Sequence, residues 1–385
     1  MRTPKLLLPL LAILAFWPLY GGLAAVPASV PLVAETPNSG FNRLTVSVTV
    51  CSPGSERCVT IPHIMVDTGS VGLRLQAHAV PDGLDLPLAR NGSGQVVAEC
   101  LRFVGAAAWG ALHRADVRMG GLIARDIPVQ VVGDELPRPG SCPGGGHPTS
   151  NGTLGIGLHA TDCGGNCVQS EAHPGYLACA GAACAPYPGP VPLFLQLPQP
   201  LRRFGTDNNG VMLDMPMPAH HGEARVEGRL LFGLGTNRDN GFGGASIIRL
   251  SARGRVSTEY AGRTATDSYF DSGTQSLIVP DDRLPICPGG HASVCLRPAV
   301  RTSATVVGAD GSRTVIPFLV GEFPRPGEHG VFAGAVSVAR RPDLFVWGFP
   351  FFIGRRVGLL FAGETVPGRP DLVGPLYVVG PRGGS

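Results

Sequence analysis

The amino-acid sequence predicts a mostly β protein of short strands and tight turns, and three observations support this. Glycine (55) and proline (37) make up about a quarter of the 385 residues, which excludes a helical bundle or a coiled coil. Hydrophobic residues at 44% against 15% charged residues supply a core and argue against disorder. From Leu44 to Val50, apolar side chains alternate with Thr and Ser, the period of a half-buried strand. At this length we expect two domains or two lobes.

Strand candidates follow one another along the chain as short runs of apolar and β-branched residues between turn-forming residues. In order they are 41–51, 58–66, 96–104, 115–119, 127–132, 211–215, 228–232, 246–250, 314–320 and 357–361. Weaker patterns predict helices at 192–201 and 350–356. The stretch 159–191 is rich in Cys, Gly, Pro and Ala and has no periodicity, which predicts a disulfide-braced surface insertion.

The first residues have the pattern of an export signal. Arg2 and Lys5 precede an apolar run over 6–23, and small residues up to Ala28 suit a signal peptidase. We therefore predict a signal peptide over 1–28, a periplasmic or secreted protein, and no membrane association after cleavage. The alternative is an N-terminal membrane anchor, but prolines and glycines interrupt the run.

All ten cysteines follow the predicted signal, and an even number in an exported chain predicts disulfides. Close spacing favours four short-loop bridges: Cys51 with Cys58, Cys163 with Cys167, Cys179 with Cys184, and Cys287 with Cys295. Cys100 and Cys142 are left to pair with each other. The alternative is a zinc site made by the four cysteines of the insertion, at 163, 167, 179 and 184. An oxidising compartment disfavours it.

Charge and the remaining motifs exclude several classes of function. Lys and Arg number 31 and Asp and Glu 28, and the formal charge of +3 is far below what nucleic-acid binding requires. The histidines show no His-Glu-x-x-His spacing, and the chain contains neither a Gly-x-Ser-x-Gly elbow nor a phosphate-binding loop. We expect no metal, no cofactor and no nucleic-acid partner.

A weak internal repeat is the most informative feature of the sequence. Each half contains an Asp, a hydroxyl residue, a Gly and a second hydroxyl residue, directly after an apolar run. The two copies are Asp67-Thr68-Gly69-Ser70 and Asp271-Ser272-Gly273-Thr274. Downstream of each copy, a glycine follows two β-branched or apolar residues, Gly155 in the first half and Gly348 in the second.

Two such turns that meet face to face bring both carboxylates into one site. Like charges at hydrogen-bonding distance cannot both ionise, so Asp67 and Asp271 would hold one proton over an acidic to mildly acidic range. One carboxyl then acts as acid and the other as base on a bound water. The neighbours would orient the carboxylates (Ser70, Thr274), brace the loops (Thr68, Ser272) and allow close approach (Gly69, Gly273, Gly155, Gly348). The alternative is a pair of ordinary Asx turns at strand ends.

Taken in order, these features resemble the pepsin-like aspartic protease family over about 44–361. The two Asp loops match the family's active-site signatures, and 275–280 matches the run after the second. Similarity to other family segments extends over 152–158, 228–233 and 346–352. The resemblance implies a bilobal fold, with the first Asp loop, flap and insertion in an N-terminal β lobe over 36–205 and the second Asp loop in a C-terminal β lobe over 206–372.

The resemblance also implies an activity. It implies an aspartic-type endopeptidase, a monomer without cofactor, that hydrolyses peptide or protein substrates through Asp67 and Asp271. Three departures from the family pattern accompany it. The flap stretch 103–110 has no tyrosine, and we expect Phe103 and Trp109 to contact substrate instead, with Trp109 reaching over the cleft.

The other two departures concern the first strand and the N-terminus. Arg74 ends a segment, 71–74, that lacks the aromatic usual after the first Asp. Only a short stretch without lysine separates the predicted signal from the first strand, so we expect no zymogen step and place the chain in an exported bacterial branch.

Two functions of other classes stay open at this point. One is a catalytically inactive pepsin-fold module that binds or inhibits a partner, which the altered flap favours and the two intact Asp motifs disfavour. The other is an exported structural protein whose insertion binds a partner.

Overall fold

The computed structural model describes residues 28–36, 40–103, 106–143, 150–169, 175–289, 292–325 and 327–382. The chain is mostly β, as the sequence predicts, with 49% strand and 5% helix. The predicted signal peptide over 1–28 lies outside the described residues except for Ala28.

Strands follow one another along the whole described chain. The first ten are β1 (Ser29–Glu35), β2 (Arg43–Cys51), β3 (Cys58–Asp67), β4 (Val71–Gln76), β5 (Val96–Phe103), β6 (Ala106–Met119), β7 (Leu122–Val132), β8 (Gly152–Ile156), β9 (Tyr176–Ala180) and β10 (Ala183–Pro186). The next seven are β11 (Gly210–Met215), β12 (Arg225–Phe232), β13 (Ser246–Arg249), β14 (Val256–Tyr260), β15 (Arg263–Phe270), β16 (Leu277–Val279) and β17 (Val300–Val307). The last seven are β18 (Arg313–Val320), β19 (Val336–Val338), β20 (Leu344–Trp347), β21 (Arg355–Leu360), β22 (Thr365–Val366), β23 (Arg369–Val373) and β24 (Leu376–Pro381).

Helical structure is short among the described residues. A single α-helix, α1 (Gly165–Gln169), lies in the insertion. Four 3-10 turns occur at Ala77–Ala79, Leu193–Leu195, Pro200–Arg203 and Phe349–Phe351. The two predicted helices, 192–201 and 350–356, are therefore wrong. Prolines remove the amide donors that an α-helix needs, and only single 3-10 turns form there.

The strands form one large sheet, one smaller sheet and a two-stranded ribbon. The large sheet has the order β10-β9-β5-β6-β7-β4-β8-β3-β2-β1-β12-β11-β21-β24-β13, so both halves of the chain contribute to it. The smaller sheet, β18-β17-β14-β15-β20-β16-β19, comes from the second half alone. The two halves are thus joined by β1, which pairs with β2 on one side and β12 on the other.

One unusual strand arrangement occurs in each half. In the first, β8 lies between β3 and β4, parallel to β3 and antiparallel to β4, with Gly155 opposite Asp67. In the second, β20 lies between β15 and β16, again parallel to the earlier strand and antiparallel to the later one. Each Asp motif is the connection between the two outer strands, so the repeat in sequence is also a repeat in backbone topology.

A continuous apolar core extends through both halves. Trp347 is fully buried, and its indole N–H donates to the Thr258 hydroxyl at 3.1 Å. Phe345 and Phe270 pack against its ring. This aromatic cluster lies directly behind the second Asp motif and fixes the end of β15.

The insertion is integrated into the sheet rather than lying on the surface alone. Its strand β9 pairs with β5, the first strand of the predicted flap, and β10 pairs with β9. Tyr176 and Val191 of the insertion are buried in a small core together with Val97 of β5 and Leu112 of β6. Strand pairing beyond either lobe boundary is also observed. Strand β1 lies before residue 36, where the predicted N-terminal lobe begins. Strand β24 lies after residue 372, where the predicted C-terminal lobe ends, and it pairs with β21. Strand structure therefore extends beyond both predicted boundaries.

The disulfide prediction is confirmed in all five pairs: Cys51–Cys58, Cys100–Cys142, Cys163–Cys167, Cys179–Cys184 and Cys287–Cys295. The alternative zinc site is wrong because its four cysteines form two of these bridges. Five disulfides fit an extracellular or periplasmic location. Across the described ranges, every helix is too short or too polar to cross a membrane.

Candidate active site

Both Asp motifs line the same cleft, which has a volume of about 1130 Å³. Asp67 is the last residue of β3 and is 6% exposed. Asp271 directly follows β15 and is half-buried. Apolar residues of both strands are anchored in the core, so each carboxyl is presented at a fixed strand end.

The two carboxyl groups lie next to each other. A Cβ atom built on Gly273 would lie 2.8 Å from Oδ1 of Asp67 and 3.2 Å from Oδ1 of Asp271. The same construction on Gly69 reaches Asp271 Cγ at 3.0 Å and Asp67 Oδ1 at 3.1 Å. Each turn's glycine thus lies against the carboxyls of both aspartates. Any residue larger than glycine at either position would collide with the carboxyl pair, which is why both turns need glycine there.

Each carboxyl is oriented by its own turn. The Ser70 hydroxyl donates to Oδ2 of Asp67 at 2.5 Å, and the Gly69 amide donates to Oδ1 at 2.8 Å. The second motif repeats this, with Thr274 donating to Oδ2 of Asp271 at 2.7 Å and the Gly273 amide to Oδ1 at 2.9 Å. Oδ1 and Oδ2 of each aspartate therefore have distinct partners, and neither side chain is free to rotate.

Thr68 and Ser272 join the two turns. The Thr68 amide donates to the Ser272 hydroxyl, and the Ser272 amide donates to the Thr68 hydroxyl, both at 3.0 Å. The Thr68 hydroxyl donates to the Phe270 carbonyl, and the Ser272 hydroxyl to the Val66 carbonyl. All four bonds are buried, so the spacing of the two turns is fixed from below.

Gly155 and Gly348 lie against the backbones of these turns. A Cβ on Gly155 would reach the Val71 amide nitrogen at 2.6 Å, and one on Gly348 the Ser276 carbonyl at 2.0 Å. The amide of the second residue after Gly155, Gly157, donates to the Ser70 carbonyl at 2.8 Å. The amide directly after Gly348 donates to the Thr274 carbonyl at 2.7 Å. Both predicted packing glycines thus touch the turn that they were expected to support.

The environment shifts the acidity of the pair. Burial, and after it the neighbouring charge of Asp271, raise the pKa of the Asp67 carboxyl from 3.8 to about 7. The Ser70 hydroxyl and the Gly69 amide act in the opposite direction because they stabilise the carboxylate. The pair therefore retains a proton up to neutral pH.

Comparison with known families adds one finding. The family described as "Protein of unknown function (DUF3443)" matches residues 24–379. The chain belongs to this family. No curated protein matches the chain. The matched range includes both Asp motifs and all five disulfides.

The two aromatic residues of the predicted flap have different positions. Phe103 ends β5, is half-buried and lines the cleft. Trp109 does not reach over the cleft, and that expectation is wrong. It is 2% exposed on β6, opposite Cys100, and its indole N–H donates to the Leu136 carbonyl at 3.1 Å. The Cys100–Cys142 bridge creates a small core there, which the indole fills.

Two tyrosines at the site are absent from the sequence prediction. Tyr377, on β24, lines the cleft beside Thr68 and packs on Phe270 at 4.6 Å between ring centroids. Burial raises the pKa of its hydroxyl. Tyr269 also lines the cleft, and the Arg255 guanidinium lies 4.1 Å from its ring centroid. No motif marks either residue, and Tyr377 lies beyond the predicted lobe boundary at 372.

A buried ionic network adjoins the first Asp motif. Arg74 is 2% exposed, and its Nη2 donates to both carboxylate oxygens of Glu99 at 3.0 and 3.1 Å. Asp162 lies 3.5 Å from the same nitrogen and accepts from the Tyr176 hydroxyl at 2.8 Å. Burial raises the pKa of Asp162 well above its usual range. The signal in the sequence is an arginine within the otherwise apolar strand β4, since a buried charge needs a partner.

Within the described ranges, no three His, Cys, Asp or Glu side chains lie together in an arrangement that could hold a metal ion.

Proposed function

We propose that the protein is an aspartic endopeptidase with a bilobal, pepsin-like fold, exported by its N-terminal signal. The observation that supports this most strongly is the adjacent carboxyl pair of Asp67 and Asp271, on two turns that brace each other through Thr68 and Ser272. Two ordinary Asx turns would not need reciprocal hydrogen bonds between residues that are 204 positions apart in sequence.

The chemistry proposed for the pair is general acid-base hydrolysis. Asp67 holds the shared proton at mildly acidic pH because its pKa is raised to about 7. Asp271 takes a proton from a water molecule as the water oxygen attacks the carbonyl carbon of the peptide bond. Asp67 gives its proton to the carbonyl oxygen, which yields a neutral tetrahedral diol. Asp271 then gives its proton to the leaving nitrogen, the C–N bond breaks, and one diol hydroxyl returns a proton to Asp67, which yields a carboxylic acid and an amine and restores the singly protonated pair.

The flanking hydroxyls fit this chemistry. Ser70 and Thr274 each hold the Oδ2 atom of one aspartate, so the Oδ1 atoms face each other beside the two glycines. A water or a carbonyl oxygen between the carboxyls would then meet both at hydrogen-bond distance. Preorganised groups of this type avoid reorientation during the reaction.

A test is hydrolysis of a mixed peptide library between pH 3 and 8. The wild type is compared with Asp67→Asn and Asp271→Asn, and with the wild type in the presence of a statine-type inhibitor. We expect each substitution to lower kcat/KM by about 10²-fold or more, because loss of a general acid or base costs about 10²–10⁴-fold. Cleavage that persists in both variants would show that another site is responsible.

A second candidate is a pepsin-fold module that binds peptides without cleaving them. The hairpin of β5 and β6 favours it. This hairpin lacks the flap tyrosine of pepsin-like proteases, and the Cys100–Cys142 bridge and the pairing of β5 with β9 hold it in place. The same experiment separates the two: binding of library peptides by the wild type with no products at any pH supports the binding module.

A further inference from the structure

The cleft that contains Asp67 and Asp271 is lined by an excess of positive charge. Six arginines and two histidines line it, and among the described residues the only lining carboxylates are the two aspartates. Six arginines against two aspartates give the lining a formal charge of +4, more than the +3 of the whole chain. The positive charge is therefore concentrated where substrate would bind.

Three of the lining arginines are exposed and unpaired with any carboxylate that the structure describes. Arg102, Arg138 and Arg253 are all exposed, and none of them forms an ion pair with a carboxylate of a described residue. Two other lining arginines are paired with carboxylates: Arg74 with Glu99, and Arg255 with Asp267 at 3.1 Å. The sixth, Arg43, is buried. The charge available to a ligand is thus carried mainly by these three, which we call the cleft arginines.

The cleft arginines lie on both sides of the carboxyl pair. Arg102 is on β5 and donates to the Ser141 carbonyl at 3.0 Å, in the same loop that carries Arg138. Arg253 is in the turn before β14, in the second half of the chain. A Cβ on Gly254 in that turn would lie 2.5 Å from Leu158 of the first half, so the turn closes against the opposite side of the cleft.

We propose that the cleft selects acidic peptides, with Asp or Glu side chains on either side of the cleaved bond. This inference rests on the proposed function, because it names the substrate class of that site. Guanidinium groups bind carboxylates through two parallel hydrogen bonds, and a cleft lined by one sign of charge focuses the field and concentrates ligands of opposite sign. The carboxyl pair acts on an amide, which favours a peptide over a nucleic acid of the same charge.

The test uses the full chain and three fluorogenic peptides with one central sequence and flanks of four Glu, four Gln or four Lys. We expect kcat/KM for the Glu peptide to exceed that for the Gln peptide about tenfold in low salt, since exposed ion pairs contribute about 0.2–1 kcal/mol each. The Lys peptide should be the poorest substrate. The preference should shrink in 0.5 M NaCl, because the Debye length falls from about 10 Å at 0.1 M to about 3 Å at 1 M.

Two triple variants with the same change in net charge separate the cleft from the rest of the surface. One replaces the cleft arginines (Arg102→Gln, Arg138→Gln, Arg253→Gln), and the control replaces three exposed arginines outside the cleft (Arg57→Gln, Arg301→Gln, Arg340→Gln). We expect the first to lose the preference for the Glu peptide while still cleaving the Gln peptide. The control should keep the preference. An equal loss in both variants overturns the proposal.

Binding is measured separately, by fluorescence anisotropy with the Asp67→Asn variant, so that the peptides stay uncleaved during the measurement. Tighter binding of the Glu peptide that depends on the cleft arginines supports the acidic cleft even if the wild type cleaves nothing, in which case the endopeptidase proposal alone fails. Equal cleavage of all three peptides overturns the acidic preference and leaves the endopeptidase proposal intact. Oligothymidylate that binds as tightly as the Glu peptide shows general polyanion binding and also overturns the assignment to acidic peptides.

Discussion

Thr68 and Ser272 are 204 residues apart in sequence, and the amide of each donates to the hydroxyl of the other at 3.0 Å. Each hydroxyl also donates to a strand carbonyl of the opposite half. The relative position of the two Asp turns is therefore fixed by hydrogen bonds that do not involve the carboxyl groups. This brace keeps two mutually repelling groups close together. It is the feature of the site that an unrelated pair of turns would not have.

Replacing Thr68 by Val is expected to loosen the brace. Val has the shape of Thr but no hydroxyl, so the Ser272 amide and the Phe270 carbonyl lose a buried partner. An unsatisfied buried polar group costs about 1–3 kcal/mol, and we expect the free energy of unfolding to fall by that amount. Peptidase activity should fall as well. Urea denaturation and kcat/KM measure the two effects, and Thr68→Ser, which keeps the hydroxyl, should retain most of both.

The pH dependence of activity follows from the shared proton. Burial raises the pKa of Asp67 to about 7, so the form with one proton on the pair is lost as the pH rises through this value. We expect kcat/KM to fall above about pH 7. Ser70→Ala removes a hydroxyl that stabilises the Asp67 carboxylate, so it should raise the pKa further and move the fall in kcat/KM to higher pH. A fall at the same or lower pH in Ser70→Ala contradicts this assignment.

The raised pKa of Asp67 also links folding stability to pH. The folded state holds a proton that the unfolded chain has already lost between about pH 4 and 7, so the free energy of unfolding should decrease as the pH rises through this window. Asp67→Asn cannot ionise and escapes this loss. Its stability relative to the wild type should rise by roughly 1–4 kcal/mol from pH 4 to pH 8, since one pKa unit is about 1.4 kcal/mol. Urea denaturation at several pH values tests this. If the free energies of unfolding of the two proteins change in parallel with pH, the assignment is wrong.

Much of the site follows from local sequence patterns. A short apolar run followed by Asp, a hydroxyl residue and Gly marks a strand end with a tight turn, and its recurrence at 67 and 271 identifies two turns with the same chemistry. The cysteine spacing predicts four bridges because short loops close easily, and the fifth follows by elimination. These features depend on neighbours in sequence, which is why the sequence is sufficient for them.

Other parts depend on contacts between distant segments. Trp109 was expected over the cleft because its neighbours are Ala and Gly, but the core that buries it is created by Cys142 and Leu136, which are distant in sequence. The position of Tyr377 beside Thr68 likewise results from pairing of β24 with β21. The clustering of arginines around the cleft has no local pattern, because its members come from both halves of the chain.

Gly348→Ala is expected to disturb the second Asp turn. The added methyl group would lie 2.0 Å from the Ser276 carbonyl oxygen and 2.7 Å from that of Thr274, so the turn that orients Asp271 must shift. Overpacking of this kind costs about 1–3 kcal/mol. We expect this loss of stability together with reduced kcat. Gly205→Ala is the matched control, since nothing lies within 4 Å of its added Cβ, and its stability should change by less than about 0.5 kcal/mol.

Arg74→Met tests whether the buried network supports the first Asp motif. Met fills a similar volume but leaves Glu99 and Asp162 without their cation, and removing one partner of a buried ion pair costs about 3–5 kcal/mol. The network joins β4, the flap strand β5 and the insertion, so we expect loss of stability together with weaker peptide binding. Arg369→Met, which removes an exposed pair with Asp371, should leave the stability almost unchanged because solvent screens that pair. Thermal and urea denaturation of both variants measure the difference, and similar costs for the two would mean that the Arg74 network contributes no more than a surface pair.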